Sequence, residues 1–197
     1  MHVLPDIERV LFDGSAGAAM ATRGHFRYES GHHGDLWLDL DALLVDARAV
    51  HGWAGALAEQ VAPWRPEVVC GPLTGGAFVA QALAAALGAD FAFAERRLVE
   101  GHAAYRIPDG LRARLAGRRV VLADDAVNAG SALLATLADA RRCGAQPAGF
   151  ASLITLGDAA ATIAAKHRLP FAHLALLERS LWPAQACPLC AAGVPLA

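Results

Sequence analysis

Val120-Val121-Leu122-Ala123-Asp124-Asp125-Ala126-Val127-Asn128-Ala129-Gly130-Ser131 is the stretch on which the fold turns. Its apolar opening reads as a strand buried on both faces, the pattern of a parallel sheet. Two adjacent carboxylates follow, then a short Asn/Gly/Ser loop. Helical spacing then runs from Ser131 to Arg142, with Gly144 just beyond its end. In an open α/β sheet, ligands bind at the carboxyl ends of such strands.

Backbone N–H groups at the helix start, together with the Ser131 hydroxyl, make an anion cradle. Two acids would spoil a cradle built for phosphate alone, so they imply a ligand that also offers neutral hydroxyls. A ribose 5-phosphate fits, with Asp124 and Asp125 accepting from the 2- and 3-hydroxyls while the loop holds the phosphate. The competing reading is an Asp pair capping the helix beside a solvated loop.

Outward from this stretch, apolar runs alternate with helical patterns, as expected of an open parallel sheet with helices on both faces. The chain has 197 residues, which predicts one α/β domain. Upstream the spacing predicts a helix over residues 6–19, two short extended segments within 26–39 around the turn SGHHGD, and a helix over 46–61. Next come a strand over 67–70, the turn GPLTGG, a helix from Ala77 to Leu87 closed by Gly88, and a strand over 90–94. Downstream lie a strand over 149–154, a helix over 158–167, a strand over 171–176, and a tail over 180–197 that reads as irregular.

The turn Gly71-Pro72-Leu73-Thr74-Gly75-Gly76 lacks G-x-G-x-x-G spacing, so no dinucleotide fingerprint is present. Its glycines still let backbone amides approach a second anionic group, although a plain strand-to-helix turn reads equally well. Arg96 and Arg97 follow the strand over 90–94, in a polar segment with Glu95, His102, Tyr105 and Arg106. Guanidinium groups suit a polyphosphate, and a solvated charged loop is the alternative.

Cys187-Pro188-Leu189-Cys190 supplies half of a zinc site, but no second CxxC exists and the nearest upstream His, His173, is fourteen residues away. The tail therefore reads as a compact terminal turn, and no metal ligands are assigned. His32-His33 offers imidazoles to a metal or a substrate, but adjacent His residues at a surface turn usually serve neither, so the pair reads as a surface turn.

Composition excludes other classes. Hydrophobic residues make up 55% and charged residues 18%, which rules out a disordered chain. A net charge of −2 gives no bulk reason to bind nucleic acid or a membrane surface. Sixteen of the seventeen basic residues are Arg; the lone Lys166 lies in AAATIAAKHRL, which excludes a Walker A loop and disfavours a receiver domain. The longest uncharged stretch, Val68 to Ala89, is broken by Gly71, Pro72, Gly75 and Gly76, so it reads as core and not as a membrane span. Acids within the apolar N-terminal run argue against a signal peptide. Four scattered cysteines suit a reducing cytoplasm.

Taken together, these segments resemble the type I phosphoribosyltransferases, and within them the orotate phosphoribosyltransferases. VVLADDAVNAGSA looks like the family's signature for 5-phosphoribosyl 1-diphosphate (PRPP), VVCGPLTGGAFVAQALAAALG like its diphosphate-loop region, and FRYESGHHGDLWLDLDAL like the orotate branch's N-terminal motif. The resemblance implies transfer of ribose 5-phosphate from PRPP to the ring nitrogen of orotate, with Mg²⁺ bound mainly through PRPP, in a cytoplasmic homodimer. It further implies PRPP binding by residues 124–132 (Ala132 included), Thr74, Gly75, Arg96 and Arg97, and a catalytic role for Asp124 and Asp125. Base binding falls to Phe26, Glu29, Ser30 and Leu156, under a hood-like segment formed by residues 1–45. The chain departs from the family pattern at three places. Asn128-Ala129 stand where paired Thr are usual, Glu29 where Lys is usual, and Thr155-Leu156 where Asp-Arg is usual, which leaves Arg106 or Arg179 to compensate for the missing Arg. These departures keep open two alternatives, a different acceptor base or a PRPP-sensing homologue without turnover.

Overall fold

The computed structural model describes residues 7–13, 19–28, 31–99 and 102–197. Along the chain, α1 (Ile7–Asp13), β1 (Ala21–Arg27), β2 (His33–Leu38), α2 (Leu40–Leu43) and α3 (Ala47–Val61) precede β3 (Val68–Pro72). Then come α4 (Gly75–Leu87), β4 (Asp90–Val99), β5 (His102–Arg106), α5 (Asp109–Arg112), β6 (Arg119–Val127) and α6 (Ser131–Arg142). β7 (Gln146–Leu156), α7 (Ala159–His167), β8 (Phe171–Leu177), β9 (Leu181–Trp182) and α8 (Pro188–Ala191) complete it.

The apolar runs assemble in the order β5-β4-β3-β6-β7-β8, parallel except for β5, which pairs antiparallel with β4. Alternate residues of each strand feed two separate cores. Val69, Val121, Ala123 and Leu153 pack with Trp53 and Leu57 of α3 and Val79 and Leu83 of α4. Val68, Cys70, Val120, Leu122 and Phe150 pack with Leu133 and Leu137 of α6 and Ile163 of α7. Helices therefore cover both faces, as the continuous apolar strands require. Local signals set the helix ends: Asp46 Oδ1 accepts from the Arg48 and Ala49 amides, and Gly88 closes α4 at φ 64°.

After β3 the chain crosses to β4 on one side, whereas β6 lies on the other and leads to β7. The neighbours β3 and β6 thus form a topological switch point, and their carboxyl ends carry GPLTGG and ADDAVNAGS.

Three elements depart from the sequence expectation. β6 continues to Val127, because β7 keeps pairing beside it after β3 stops at Cys70↔Leu122. β4 runs on to Val99 past its last β3 partner, Ala94, as one arm of a hairpin with β5. That arm lies beyond the packed sheet, so its polar sequence concealed a strand. The tail is not irregular: β9 pairs with β2 in a second sheet, ordered β1-β2-β9. Asp35 Oδ1 accepts from the Ser180 amide at 2.7 Å, and the Arg23 guanidinium donates to the Glu178 carbonyl at 2.7 Å, fastening β1 and β2 to the segment after β8. The helix expected over 6–19 is present as Ile7–Asp13, and residues 14–18 lie outside the described residues.

Candidate active site

Asp124 and Asp125 stand in β6 itself, not in the loop after it, and Asp124 is only 7% exposed. The first turn of α4 lies directly against them. A Cβ on Gly75 would fall 1.9 Å from Asp125 Oδ2, and one on Gly76 2.4 Å from Asp124 Oδ1, so only glycine fits at either place. The Asp125 amide donates to Asp124 Oδ1 at 3.1 Å, and the Ala126 amide to Asp125 Oδ1 at 2.8 Å. Burial, reinforced by the neighbouring Asp125 charge, holds the Asp124 carboxyl well above the usual carboxylate range. Neither acid caps α6, whose N-cap is Gly130 with no side-chain cap bond, so the capping alternative fails. Negative charge crowded out of water favours a ligand that brings hydroxyl donors or a cation.

The loop Asn128-Ala129-Gly130-Ser131 turns from β6 into α6. Gly130 adopts φ 71°, and a Cβ there would meet Ile163 Cδ1 at 2.4 Å. Asn128, Ala129 and Ser131 face solvent, while the Val127 side chain is buried in the α6–α7 core and offers only its backbone to a ligand. A cavity of about 370 Å³ lies over this loop, bounded by Asn128, Ala129, Leu156, Asp158, Thr162 and Arg179.

Beside it, a smaller cavity of about 220 Å³ is lined by Tyr28, Trp37, Leu38, Ala126, Leu156 and Arg179 among others. Its size and apolar, aromatic walls suit a planar ring. Leu156 and Arg179 border both cavities. The Arg179 guanidinium donates from Nη2 to Asn128 Oδ1, and its buried Nε has no partner. Phe26 packs against Trp37 with its ring tilted by 38° and ring centroids 5.9 Å apart, and is not among the lining residues. Glu29 and Ser30 lie outside the described residues.

Arg96 and Arg97 are consecutive in β4, and neighbours in a strand point to opposite faces. Arg97 is ion-paired to Glu95 and borders a cavity of about 790 Å³ with Arg106, Asp109, Arg112 and Asp139. Asp124, Asp125 and the 128–132 loop do not line that larger cavity, and its buried Asp139 already binds the Ile107 amide and Arg112. Arg96 instead shares the electrostatic environment of Tyr105 with Asp124 and Asp125; burial raises the Tyr105 pKa, and the two acids add to the effect while Arg96 opposes it. Arg106 is bound to Asp109 at 2.8 Å, so Arg179 is the cation beside Leu156.

The Phosphoribosyl transferase domain family matches residues 39–169. Orotate phosphoribosyltransferase of Wolinella succinogenes is 30% identical over 181 residues, covering 86% of each chain. That of Thermus thermophilus is 30% identical over 173 residues, covering 88% of this chain and 90% of the relative. The chain belongs to the orotate phosphoribosyltransferase family. Solved structures share its fold. Mycobacterium tuberculosis orotate phosphoribosyltransferase, solved in complex with PRPP, superposes with a TM-score of 0.62 at 20% identity, covering 79% of this chain and 89% of that one.

Against the family pattern, the switch point brings together Asp124, Asp125, the 128–132 loop, Gly75 and Leu156, and leaves Arg97 outside. The sequence reading did not single out Tyr28 or Trp37 as lining residues; of the two arginines it left to compensate for Leu156, the structure puts Arg179, from the segment after β8, beside that residue and pairs Arg106 with Asp109. It also missed that His33 is a buried β2 residue, not a surface turn, and that it contacts His25 and Cys190.

Proposed function

We propose that the chain transfers the 5-phosphoribosyl group of PRPP to orotate, giving orotidine 5-phosphate and diphosphate. The observation that carries this reading is the convergence of a buried acid pair, an open helix-start loop and an arginine-edged aromatic cavity at one sheet edge. The 128–132 loop would hold the 5-phosphate on backbone N–H groups and the Ser131 hydroxyl. Asp124 and Asp125 would accept from the ribose hydroxyls and offset positive charge growing at C1 as the C1–oxygen bond to diphosphate breaks. The orotate ring nitrogen forms the new bond to C1, and holding it in line supplies much of the rate. Arg179 would meet the orotate carboxylate, standing in for the Arg that Leu156 replaces. Thr74, Gly75 and Arg96 would receive the departing diphosphate.

The donor set fits Mg²⁺ carried by PRPP: two hard carboxylates lie where negative charge is in excess, as the raised Asp124 pKa reflects. When bound, Mg²⁺ offsets charge on the leaving diphosphate. None of the described helices is long and apolar enough to cross a membrane. The proposal includes a homodimer in the reducing cytoplasm: Phe78 and Leu98, 52% and 69% exposed, are apolar side chains that a second copy would cover.

The test is diphosphate release by the purified protein with Mg²⁺ and PRPP against a panel of free bases. Release with orotate supports the proposal. Release only with a base lacking a carboxylate, which Leu156 would favour, overturns orotate as acceptor, and PRPP binding without any release overturns turnover.

A further inference from the structure

Away from the switch point, four metal-binding side chains converge at the seam between β1, β2 and the C-terminal tail. His25, His33, Cys187 and Cys190 each present one ligand atom, and these atoms all lie within 4.8 Å of one another. His25 Nε2 is 3.0 Å from His33 Nδ1, 3.4 Å from Cys187 Sγ and 3.6 Å from Cys190 Sγ. Cys190 Sγ is 3.2 Å from His33 Nδ1. A tetrahedral zinc ion with bonds of about 2.0–2.1 Å to nitrogen and about 2.3 Å to sulfur requires edges of about 3.4 Å between nitrogens and about 3.6 Å from nitrogen to sulfur. The observed edges are equal to these or shorter by up to about 0.4 Å, so seating an ion asks the ligands only to spread slightly.

The surroundings are those of a built site. His25, His33 and Cys187 are 2%, 6% and 3% exposed, and Cys190 closes the cluster on its exposed side. His25 Nδ1 lies 2.8 Å from the Val194 carbonyl, which can only accept. The proton therefore sits on Nδ1, and the Nε2 lone pair is turned toward the other three groups, the outer-shell arrangement of metal-bound histidine. The two cysteines bracket the start of α8, where the Ala191 amide donates to the Cys187 carbonyl at 3.2 Å, and the Gly193 amide donates to the Cys190 carbonyl at 3.0 Å in the turn that follows. Gly193, at φ 72°, sends the chain back so that the Ala197 amide reaches the His25 carbonyl at 2.9 Å.

We infer that His25, His33, Cys187 and Cys190 bind one Zn²⁺ ion in a closed structural site. Two sulfur and two imidazole donors select zinc over magnesium, and four protein ligands leave no open position for substrate. The ion fastens the tail to β1 and β2, the hairpin that carries Tyr28 and Trp37 to the small cavity. It is a separate site from that of PRPP, and its readouts do not depend on activity.

The test is metal analysis of the full chain purified without chelator from zinc-supplemented medium, with X-ray absorption on the wild-type protein. The expected result is about one zinc per chain, with two sulfur neighbours at about 2.3 Å and two nitrogen neighbours at about 2.0–2.1 Å. Cobalt(II) replacing it should give thiolate charge-transfer and tetrahedral d–d bands. C187A/C190A should fall below about one-tenth of an equivalent. Wild-type zinc below that level overturns the inference, as does a Cys187–Cys190 disulfide, a coordination shell without sulfur, or unchanged zinc in the double variant. If the double variant fails to fold, H33C, which keeps a ligand there, should retain zinc, and the wild-type absorption shell remains decisive.

Discussion

Replacing Arg179 by Met tests how this chain recognises a carboxylated base without the family's usual arginine. Arg179 Nη2 is occupied by Asn128, and the buried Nε lacks an acceptor. A ligand carboxylate that accepts from it gains a charge-assisted hydrogen bond of about 1.5–3 kcal/mol. At about 1.4 kcal/mol per tenfold, R179M should lower kcat/KM for orotate by about 10- to 150-fold. Met preserves much of the apolar stem against Leu156, so the lost term is the guanidinium. Uracil, which has the same ring without the carboxylate, should be turned over by wild type and variant with similar kcat/KM. Adding L156R to R179M should recover part of the orotate activity. Steady-state diphosphate release with both bases is the assay. A fall of less than about threefold with orotate, or an equal fall with both bases, would refute the role given to Arg179.

D124N should abolish most PRPP affinity in calorimetry yet raise the melting temperature of the free protein at neutral pH. The folded Asp124 pKa is raised by burial and by Asp125, so its stabilising protonated form is lost as pH rises from about 4, the unfolded value, through the folded value; the variant should lack that part of the pH dependence, and a lower melting temperature would contradict it. G130A should lose about 1–2 kcal/mol in urea unfolding from its positive φ alone, with a further loss from the Ile163 contact; an unchanged midpoint would contradict the geometry. The Cys70 thiol, pushed up to about 12 by burial, should resist a thiol reagent in the native protein and react only on unfolding, as mass spectrometry of labelled peptides would show.

The central architecture was legible because its signals are local. The apolar run at Val120–Ala123, the caps at Asp46 and Gly88 and the glycine pair after β3 each act within a few residues, and together they place the switch point. What stayed hidden depends on chain segments distant in sequence. Asp124 reads as a loop residue because the polar end of β6 breaks the apolar pattern, yet the β7 partner that keeps it in a strand is specified elsewhere. Arg179 carries no motif, so the sequence leaves it level with Arg106 as the cation for the base; what separates them is that β8 ends beside Leu156. His25 and His33 lie over 150 residues from Cys187 and Cys190, and the β2–β9 pairing, with the Asp35–Ser180, Arg23–Glu178 and Ala197–His25 bonds, brings the halves together. Along the sequence, the His nearest upstream of the CxxC is His173, which takes no part in the cluster.

A crystal structure with Mg²⁺ and PRPP bound is the measurement that bears most directly on the ligand's placement. The 5-phosphate should rest on the amides of residues 129–132 at the start of α6, with the ribose hydroxyls within hydrogen-bond distance of Asp124 and Asp125. A 5-phosphate seated instead among Arg97, Arg112 and Arg142 in the larger cavity, with the two aspartates touching only protein, would contradict it.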